Sequence, residues 1–499
     1  LELSPDRTRA RAVFTISERE QVKVSRIVVV GARVTNESLI RSRVALTVGQ
    51  PYRRSEIRKT EERLASLGVF STVTVGLEDP YVPAKEKAVV ITVQERLPQY
   101  LDIRPGFSTG EGFRITFEYG HRNLGGEAIP LTLRVQLGYL PNELILEEDV
   151  RKKYDELDVG QRLERRNSAL IEFPDVGLGP LFRLSVEGLD VRDNARDFGL
   201  TKDAGIVTLT YRPVRQFSAF VGGSLELNDA TIFGSEQKGA LEQYVQANPR
   251  RAGLFRVPEG TTLAVAQRIG FAWDRRDNPL GASRGTLVST SLEHVRATPF
   301  GGEEAGDGIF DATTSQFLRL TQRVAGYLRL SDKGLALAGS VRWGMNQQLR
   351  SESRTYPDRL FFLGGVDSVR GFLQDSMIPE DIAQQLLEPT SGLSLNQVVI
   401  RGGDAFINPR LELRIPLSGN VQTGLFLDSG NLWRDPEKVN PLDLRYSVGS
   451  GLRIGTPIGP LVFDYGFNVD RVLDELFPDR TRRRYWEPLG AFHFSIGLF

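Results

Sequence analysis

The sequence predicts a transmembrane β-barrel of about 16 antiparallel strands, preceded by a small α+β module. Three observations lead to this prediction. Apolar and polar residues alternate with the two-residue period of a strand from residue 99 onward. Short Gly/Pro/Asn turns alternate with long polar loops, and the chain ends on an alternating strand with an aromatic last residue, Phe499. Short turns on one side and long loops on the other are typical of outer-membrane barrels.

The composition argues against several classes of function. Lys and Arg together equal Asp and Glu at 63 each, so the formal net charge is zero and provides no general attraction to nucleic acid. The chain has no cysteine, which excludes disulfides, thiol chemistry and cysteine-based zinc sites. Its three histidines are far apart in the sequence. We therefore expect no metal site, no cofactor, no catalytic residues and no nucleic-acid partner, and we do not expect an enzyme.

Residues 23–97 have the pattern of a module with the order βααββ. The strand "SRIVVVG" is followed by the short helix "TNESLIRSRVAL" and the longer helix "RSEIRKTEERLASLG", for which Ser55 is a candidate N-cap. Two alternating strands, "STVTVGLE" and "AVVITVQE", complete the module. The first of them, with Val73 and Val75, is the expected free edge of the sheet. Residues 1–22 have the pattern of the end of a preceding strand-bearing module, so we expect the beginning of the protein to be missing.

Residues 98–499 are predicted to form the barrel. In "FRITFEYG" the aromatic and aliphatic residues fall on one face and Arg, Thr and Glu on the other, and "LTLRVQLGY", "RLELRIPL" and "PLVFDYGF" repeat the pattern. Such alternation occurs in soluble sandwiches, which bury the apolar face, and in membrane barrels, which expose it to lipid. The alternating run of about 400 residues is too long for one sandwich domain, which favours the barrel.

Four motifs, in order, resemble those of the outer-membrane assembly superfamily that includes BamA, TamA, two-partner-secretion transporters and organelle relatives. The module with "IVVVGARVTNESLI" and "LASLGVFSTVTV" resembles a POTRA domain, and residues 1–22 would then be the remnant of a preceding one. The loop "GGVDSVRGF" contains the family's signature "VRGF", and "LFLDSG" and "GSGLRIGTPIGPLVFDYGF" are similar to its last strands. The resemblance covers nearly the whole chain.

The resemblance implies that the signature loop folds back into the barrel, where Arg370 meets acidic residues of the wall. The alternation supplies candidates for these residues. The leucines of "RLELRIPL" face lipid, so Glu412 faces the lumen, and the same reasoning turns Asp428 of "VQTGLFLDSG" inward. A guanidinium can bridge two carboxylates with charge-assisted bonds. The predicted loop-anchoring residues are Val369, Arg370, Gly371, Phe372, Glu412 and Asp428.

Both closing strands of the predicted barrel look weak. The first, "YLDIRPGFS", contains a proline that cannot donate to a ladder, and the last, "FHFSIGLF", is short. By resemblance the protein is an assembly factor that inserts other β-barrel proteins, and the weak seam indicates a lateral gate where a client strand pairs with the first strand. A merely imperfect seam is the alternative. The predicted gate residues are Leu101, Asp102, Ile103, Arg104, Pro105, Gly106, Phe494, Ile496, Gly497 and Phe499.

The resemblance also implies a location and partners. We expect the barrel in the bacterial outer membrane and the POTRA domain in the periplasm. The expected partners are unfolded outer-membrane β-barrel clients, periplasmic or lipoprotein accessory subunits bound through the POTRA domain, and membrane lipid. BamA-like and TamA-like roles both fit. The alternative functions are a two-partner-secretion pore for polypeptides and a lipid-export partner. "GASRG", residues 281–285, fits a serine-hydrolase pattern, but no helix is expected after it.

Overall fold

The N-terminal strands and helices form a three-stranded sheet with two helices. The computed structural model describes residues 2–3, 10–11, 21–279, 281–302, 306–388, 392–456, 459–477 and 484–496. It divides the chain into one unit of Leu1–Gln99 with His121–Pro130 and a second of Tyr100–Gly120 with Leu131–Phe499. The elements of the first unit are β1 (Glu2–Leu3), β2 (Ala10–Arg11), β3 (Lys23–Val30), α1 (Glu37–Ser42), α2 (Arg54–Ala65), β4 (Phe70–Leu77) and β5 (Glu86–Glu95).

The predicted βααββ order is confirmed. The sheet has the order β3-β5-β4, with β5 parallel to β3 and antiparallel to β4. Ile40 of α1 and Leu64 of α2 are completely buried against Val89 and Ile91 of the central strand, which explains why both helices keep an apolar face. The predicted N-cap at Ser55 is wrong. The cap position is Arg53, because the helix already begins at Arg54.

The second unit contains the predicted barrel, a closed antiparallel sheet of 16 strands in which β21 lies next to β6. No described helix is long and apolar enough to cross a membrane. The strands are β6 (Gln99–Ser108), β7 (Gly112–Leu124), β8 (Ile129–Tyr139), β9 (Glu164–Phe173), β10 (Phe182–Asn194), β11 (Phe198–Val214), β12 (Phe217–Ile232), β13 (Gly260–Asp274), β14 (Gly285–Pro299), β15 (Ser315–Arg329), β16 (Ala336–Gln348), β17 (Ala405–Ser418), β18 (Val421–Trp433), β19 (Arg445–Thr456), β20 (Gly459–Asn468) and β21 (Gly490–Ile496).

The two faces of the barrel have the polarity of a membrane protein. Large apolar side chains are exposed on its outside, among them Leu411, Leu425 and Leu427, whereas Glu412 and Asp428 are buried inside. A soluble sandwich would show the opposite arrangement. The alternation of the sequence therefore separates a lipid-facing surface from a polar interior.

The long connections at one rim are folded, which the sequence analysis did not foresee. They carry α3 (Glu148–Asp155), α4 (Val159–Arg162), α5 (Ser235–Ala247), α6 (Ala252–Phe255), α7 (Glu380–Leu387) and α8 (Val469–Leu476). Side chains from three of these connections pack into one hydrophobic cluster, which includes Leu241, Phe310 and Ile382. The long-loop rim is thus a small folded layer with its own core.

Candidate functional site

The signature loop lies in the connection between β16 and β17 and turns back on itself. The Gly365 amide donates to the Phe372 carbonyl over 3.0 Å, and the Phe372 amide donates to the Val369 carbonyl over 3.1 Å. Val369 and Phe372 are completely buried and pack with Leu363, Met377 and Leu432. The apolar residues on either side of Arg370 therefore fix the loop, which leaves the arginine between them pointed at the wall.

Arg370 contacts three carboxylates of the barrel wall. Its Nε and Nη2 donate to the two oxygens of Asp428 over 2.7 and 2.9 Å, and its Nη1 donates to Glu412 over 3.0 Å and to Asp464 over 3.3 Å. The guanidinium also lies over the Phe426 ring, 3.4 Å from its centroid. Arg370 is only 1% exposed. The two partners named from the sequence are present, and Asp464 is a third that the sequence analysis missed.

Three further arginines neutralise these carboxylates. Arg410 donates to Asp428 over 3.1 Å, Arg414 donates to Glu412 over 3.0 Å, and Arg453 donates to Glu412 over 2.7 Å. Burying a charge is costly unless opposite charges and hydrogen bonds compensate it. The three carboxylates therefore belong to one buried network, and Arg370 is the member that the loop contributes.

The loop also touches the last three strands of the barrel. A Cβ on Gly371 would lie 2.6 Å from Ser447 Oγ, and a Cβ on Gly466 would lie 2.6 Å from the Arg370 carbonyl carbon. Both contacts are possible only because these positions lack a side chain. His493 Nε2 lies 3.1 Å from the Arg370 carbonyl oxygen, within hydrogen-bonding distance. The loop is consequently fixed to β19 and β20 by close packing and to β21 by a hydrogen bond.

The barrel closes between β21 and β6 through a short described ladder. Ser495 faces Ser108 and Ile496 faces Phe107, and the Thr109 amide donates to the Phe494 carbonyl over 3.0 Å. On its other side, β21 pairs with β20 from Leu461 to Phe467. Among the described residues, the closing ladder is therefore the shorter of the two.

The predicted gate residues lie next to this ladder. Leu101 and Ile103 are exposed apolar residues of β6, whereas Asp102 pairs with Arg104, which also binds Glu118 of β7. Phe494 and Ile496 belong to the described seam, but Gly497 and Phe499 lie outside the described residues. The described contacts of β21 are with Phe107 and Ser108 of β6 and with Thr109, which follows β6, and the sequence analysis did not include these three residues. Pro105 and Gly106 directly precede these positions.

The first unit presents β4 as one edge of its sheet. Val73 and Val75 face Val93 and Ile91 of β5. The Val75 amide donates to Glu61 Oε1 of α2 over 3.1 Å, so it points away from β5. Val73 has the same orientation because backbone groups alternate along a strand. The outward-facing donor at Val75 is therefore occupied by a side chain of the same unit.

The hydrolase-like motif is a structured turn between β13 and β14. Ser283 Oγ donates to Asp277 Oδ2 over 2.6 Å, and β14 begins at Gly285. Because a strand and not a helix follows, the serine lacks the elbow that a hydrolase nucleophile requires. The same turn contacts the arginine network, because Arg414 Nη1 donates to the Ala282 carbonyl over 3.0 Å. Within the described residues, no group of His, Asp or Glu side chains has an arrangement that could hold a metal ion.

Comparison with known families identifies the barrel. Residues 210–499, more than half of the chain, match the model of the Omp85 superfamily domain. The chain belongs to the Omp85 superfamily. Residues 22–96 match a second model, that of the POTRA family, described as a surface antigen variable number repeat. An Omp85 barrel therefore follows a POTRA region in this protein.

The similar proteins are distant in sequence. The outer membrane protein assembly factor BamA of Nitratidesulfovibrio vulgaris (strain Hildenborough) is 23% identical over 493 residues, which cover 97% of this chain and 52% of that protein. The chain thus spans about half the length of the curated relative. A crystal structure of BamA from Haemophilus ducreyi lacking POTRA domains 1–3 has a TM-score of 0.66 at 17% identity, covering 95% of this chain and 84% of that one. CdiB from Acinetobacter baumannii has a TM-score of 0.53 at 14% identity, covering 95% and 73%. These structural similarities concern the fold.

Proposed function

We propose that this Omp85 protein is an outer-membrane protein assembly factor that inserts β-barrel clients through the seam between β6 and β21. The observation that carries this proposal is the Omp85 barrel whose first and last strands meet at the seam, with the buried loop bound to the last strand through His493. The similarity to proteins named outer membrane protein assembly factor supports the same function.

The mechanism follows from the cost of unpaired backbone groups in lipid. An open strand edge inside a membrane costs several kcal/mol for each unsatisfied group, so β6 needs a partner strand whenever β21 leaves it. An unfolded client strand with the same alternation can supply that partner. The reaction is then an exchange of ladders, in which no covalent bond changes and no cofactor takes part.

The buried loop would stabilise strands β17–β20, which lie on the β21 side of the seam. Arg370 connects carboxylates on β17, β18 and β20, and these strands lie on the β21 side of the seam. A fixed β17–β20 wall leaves β6 and its neighbours as the part that moves during client entry. The loop residues therefore act as positioning residues for the exchange.

A reversible cross-link of the seam tests this proposal. Thr109 and Phe494 are hydrogen-bonded across the seam, and hydrogen-bonded and non-hydrogen-bonded pairs alternate along an antiparallel ladder. The adjacent pair, Ser108 and Ser495, is therefore a non-hydrogen-bonded pair, whose Cα atoms lie close enough for a disulfide. We expect oxidised Ser108→Cys/Ser495→Cys protein in liposomes to stop inserting client barrels and reduction to restore insertion. The matched control is Ser291→Cys/Thr321→Cys, which joins β14 to β15 away from the seam. Equal insertion by the oxidised seam variant and the oxidised control would rule the mechanism out.

The remaining parts of the chain have supporting roles in this proposal. Residues 23–97 act as a POTRA domain in the periplasm, and residues 98–499 form the barrel. The β4 edge, with Val73 and Val75, binds an accessory subunit or a client strand by adding a strand to the sheet. Glu61 competes with that strand for the Val75 amide.

A polypeptide-secretion pore is the second candidate, favoured by the fold similarity to CdiB. The buried loop argues against a secretion pore. Two lumen cavities of about 440 and 470 Å³ are both bordered by Gln374 of the β16–β17 connection. A polypeptide that passed through the lumen would therefore have to displace that connection. Depletion in the native host distinguishes the two functions. General loss of outer-membrane barrels supports the assembly factor, whereas loss of one secreted protein supports the pore.

A further inference from the structure

Helix α8 follows β20 directly in the connection to β21. Asn468 is its N-cap, and the Asn468 side chain accepts a hydrogen bond from the Arg471 amide over 3.3 Å. The helix lies against β19 and β20. It is therefore an ordered element at the long-loop rim, beside the strand that forms the seam.

Two polar side chains of α8, Arg471 and Asp474, are largely covered by the protein. Asp474 is buried and accepts a hydrogen bond from the Arg484 amide over 2.9 Å. Arg471 pairs with Glu475 over 2.6 Å and lies 5.4 Å from the centre of the Tyr485 ring. The polar side chains of the helix thus interact with the segment that leads into β21 and with one another.

The apolar face of α8 lacks a protein core. Val469, Val472, Leu473 and Leu476 recur at the spacing of one helix face. None of them belongs to a hydrophobic cluster of the described residues. Leu476 is 65% exposed, and Phe477, which follows the helix, is 57% exposed. Val469, Val472 and Leu473 are half-buried, so the most exposed part of this apolar face is its C-terminal end.

This apolar face continues the lipid-facing surface of the barrel. Tyr465 and Phe467 are exposed on β20, and Phe492 is exposed opposite Tyr465 on β21. The helix begins at Val469, two residues after Phe467. Aromatic residues of membrane proteins concentrate where the hydrocarbon layer meets the headgroups. The helix therefore begins at the level where the outer surface of the barrel leaves the membrane.

We propose that α8 is a monotopic membrane anchor, whose apolar face lies in the lipid interface beside the seam. Lipid is the occupant that this surface fits, because the helix directly follows a lipid-facing strand and exposes Leu476 and Phe477 at its end. The anchor holds the β20–β21 hairpin at the membrane surface. It is independent of client insertion, so the two proposals can fail separately.

Site-directed spin labelling tests the anchor, and the cysteine-free chain allows single labels. A nitroxide on Phe477→Cys in reconstituted bilayers should be reached more readily by oxygen than by a water-soluble nickel chelate. The lipid-side reference is Leu425→Cys on the outside of β18, and the water-side reference is Leu442→Cys, which is 89% exposed in the β18–β19 connection. We expect the oxygen-to-nickel ratio at 477 to lie several-fold above that at 442 and nearer to that at 425.

Two other outcomes would overturn the anchor. A ratio at 477 equal to that at 442 places the face in water. Exclusion of both reagents in the purified protein places the face against a second copy of the chain or against its own loops. Adding Leu476→Glu provides an internal check, because a carboxylate on this face should expel the helix from lipid and raise nickel access at 477 several-fold. No change on that substitution would also contradict lipid contact.

Discussion

Replacing Arg370 by alanine removes the cation that the loop shares with three wall carboxylates. The change deletes the bidentate pair with Asp428 and the bonds to Glu412 and Asp464. Asp428 keeps Arg410, and Glu412 keeps Arg414 and Arg453. Asp464 keeps only Arg453 among its described ion pairs, at 3.7 Å. Asp464 is therefore the carboxylate that the substitution leaves least compensated.

The magnitude follows from the burial of these groups. Arg370 and Asp464 are each 1% exposed, and removing one partner of such a buried pair costs about 3–5 kcal/mol. The cost falls on the docked state of the loop, because an undocked loop lets water reach the carboxylates. Docking should weaken by about 150- to 4,000-fold, and amide exchange from residues 364–377 should accelerate by a similar factor.

Hydrogen exchange of the reconstituted protein measures this effect. The matched control is Arg134→Ala, which removes a wall arginine bound to Glu118 that has no described contact with the loop. Arg370→Lys should recover part of the protection, because an ammonium keeps the charge but cannot form the planar bidentate pair. If the loop exchanges equally slowly in Arg370→Ala, Arg134→Ala and the wild type, the network does not hold the loop.

Two further predictions concern other sites. Burial disfavours the ionised form of Glu380, but Arg445 and then Arg484 outweigh the burial and lower the pKa of Glu380 from 4.5 to about 2. The ionised carboxylate therefore contributes about 3 kcal/mol to the stability of the rim. This contribution is complete above pH 4.5 and is lost as the pH falls towards 2. The stability difference between wild type and Glu380→Gln, measured by exchange of residues 376–388, should shrink over that pH range, and a constant difference would contradict the assignment. At the β4 edge, Val75→Pro should weaken binding of an added strand and Glu61→Ala should strengthen it, measured with an immobilised strand peptide. Equal binding by both variants would mean that this edge is not the docking site.

The sequence could predict the parts of the site that depend on strand parity. The inward orientation of Glu412 on β17 and of Asp428 on β18 follows from the alternation within each strand, because the flanking leucines determine which residues face lipid. Asp464 has the same parity in "VFDYGF", but its height in the barrel depends on the registers of the β18–β19 and β19–β20 ladders. His493 contacts the loop because the β20–β21 ladder places it opposite Asp464. Neither position follows from local pattern alone.

The folded rim shows a different kind of omission. Residues 229–260 look like a polar loop by composition, yet Leu241, Tyr244 and Val245 have the spacing of a helix face and are buried in the rim cluster. That spacing was visible in the sequence. The packing partners in the other connections were not, because they come from segments far apart in the chain.

In the proposed opening of the seam, the contacts of β21 favour its staying paired with β20. β21 pairs with β20 from Leu461 to Phe467, and His493 binds the carbonyl of a residue whose side chain is fixed by three carboxylates. Moving β21 away from β20 would break both the longer ladder and this contact with the buried loop. Separating β21 from β6 breaks, among the described residues, only the contacts of Phe107–Thr109. In the proposed exchange, β21 therefore stays with β20 and the buried loop, while β6, whose exposed Leu101 and Ile103 alternate as a lipid-facing strand, receives the client.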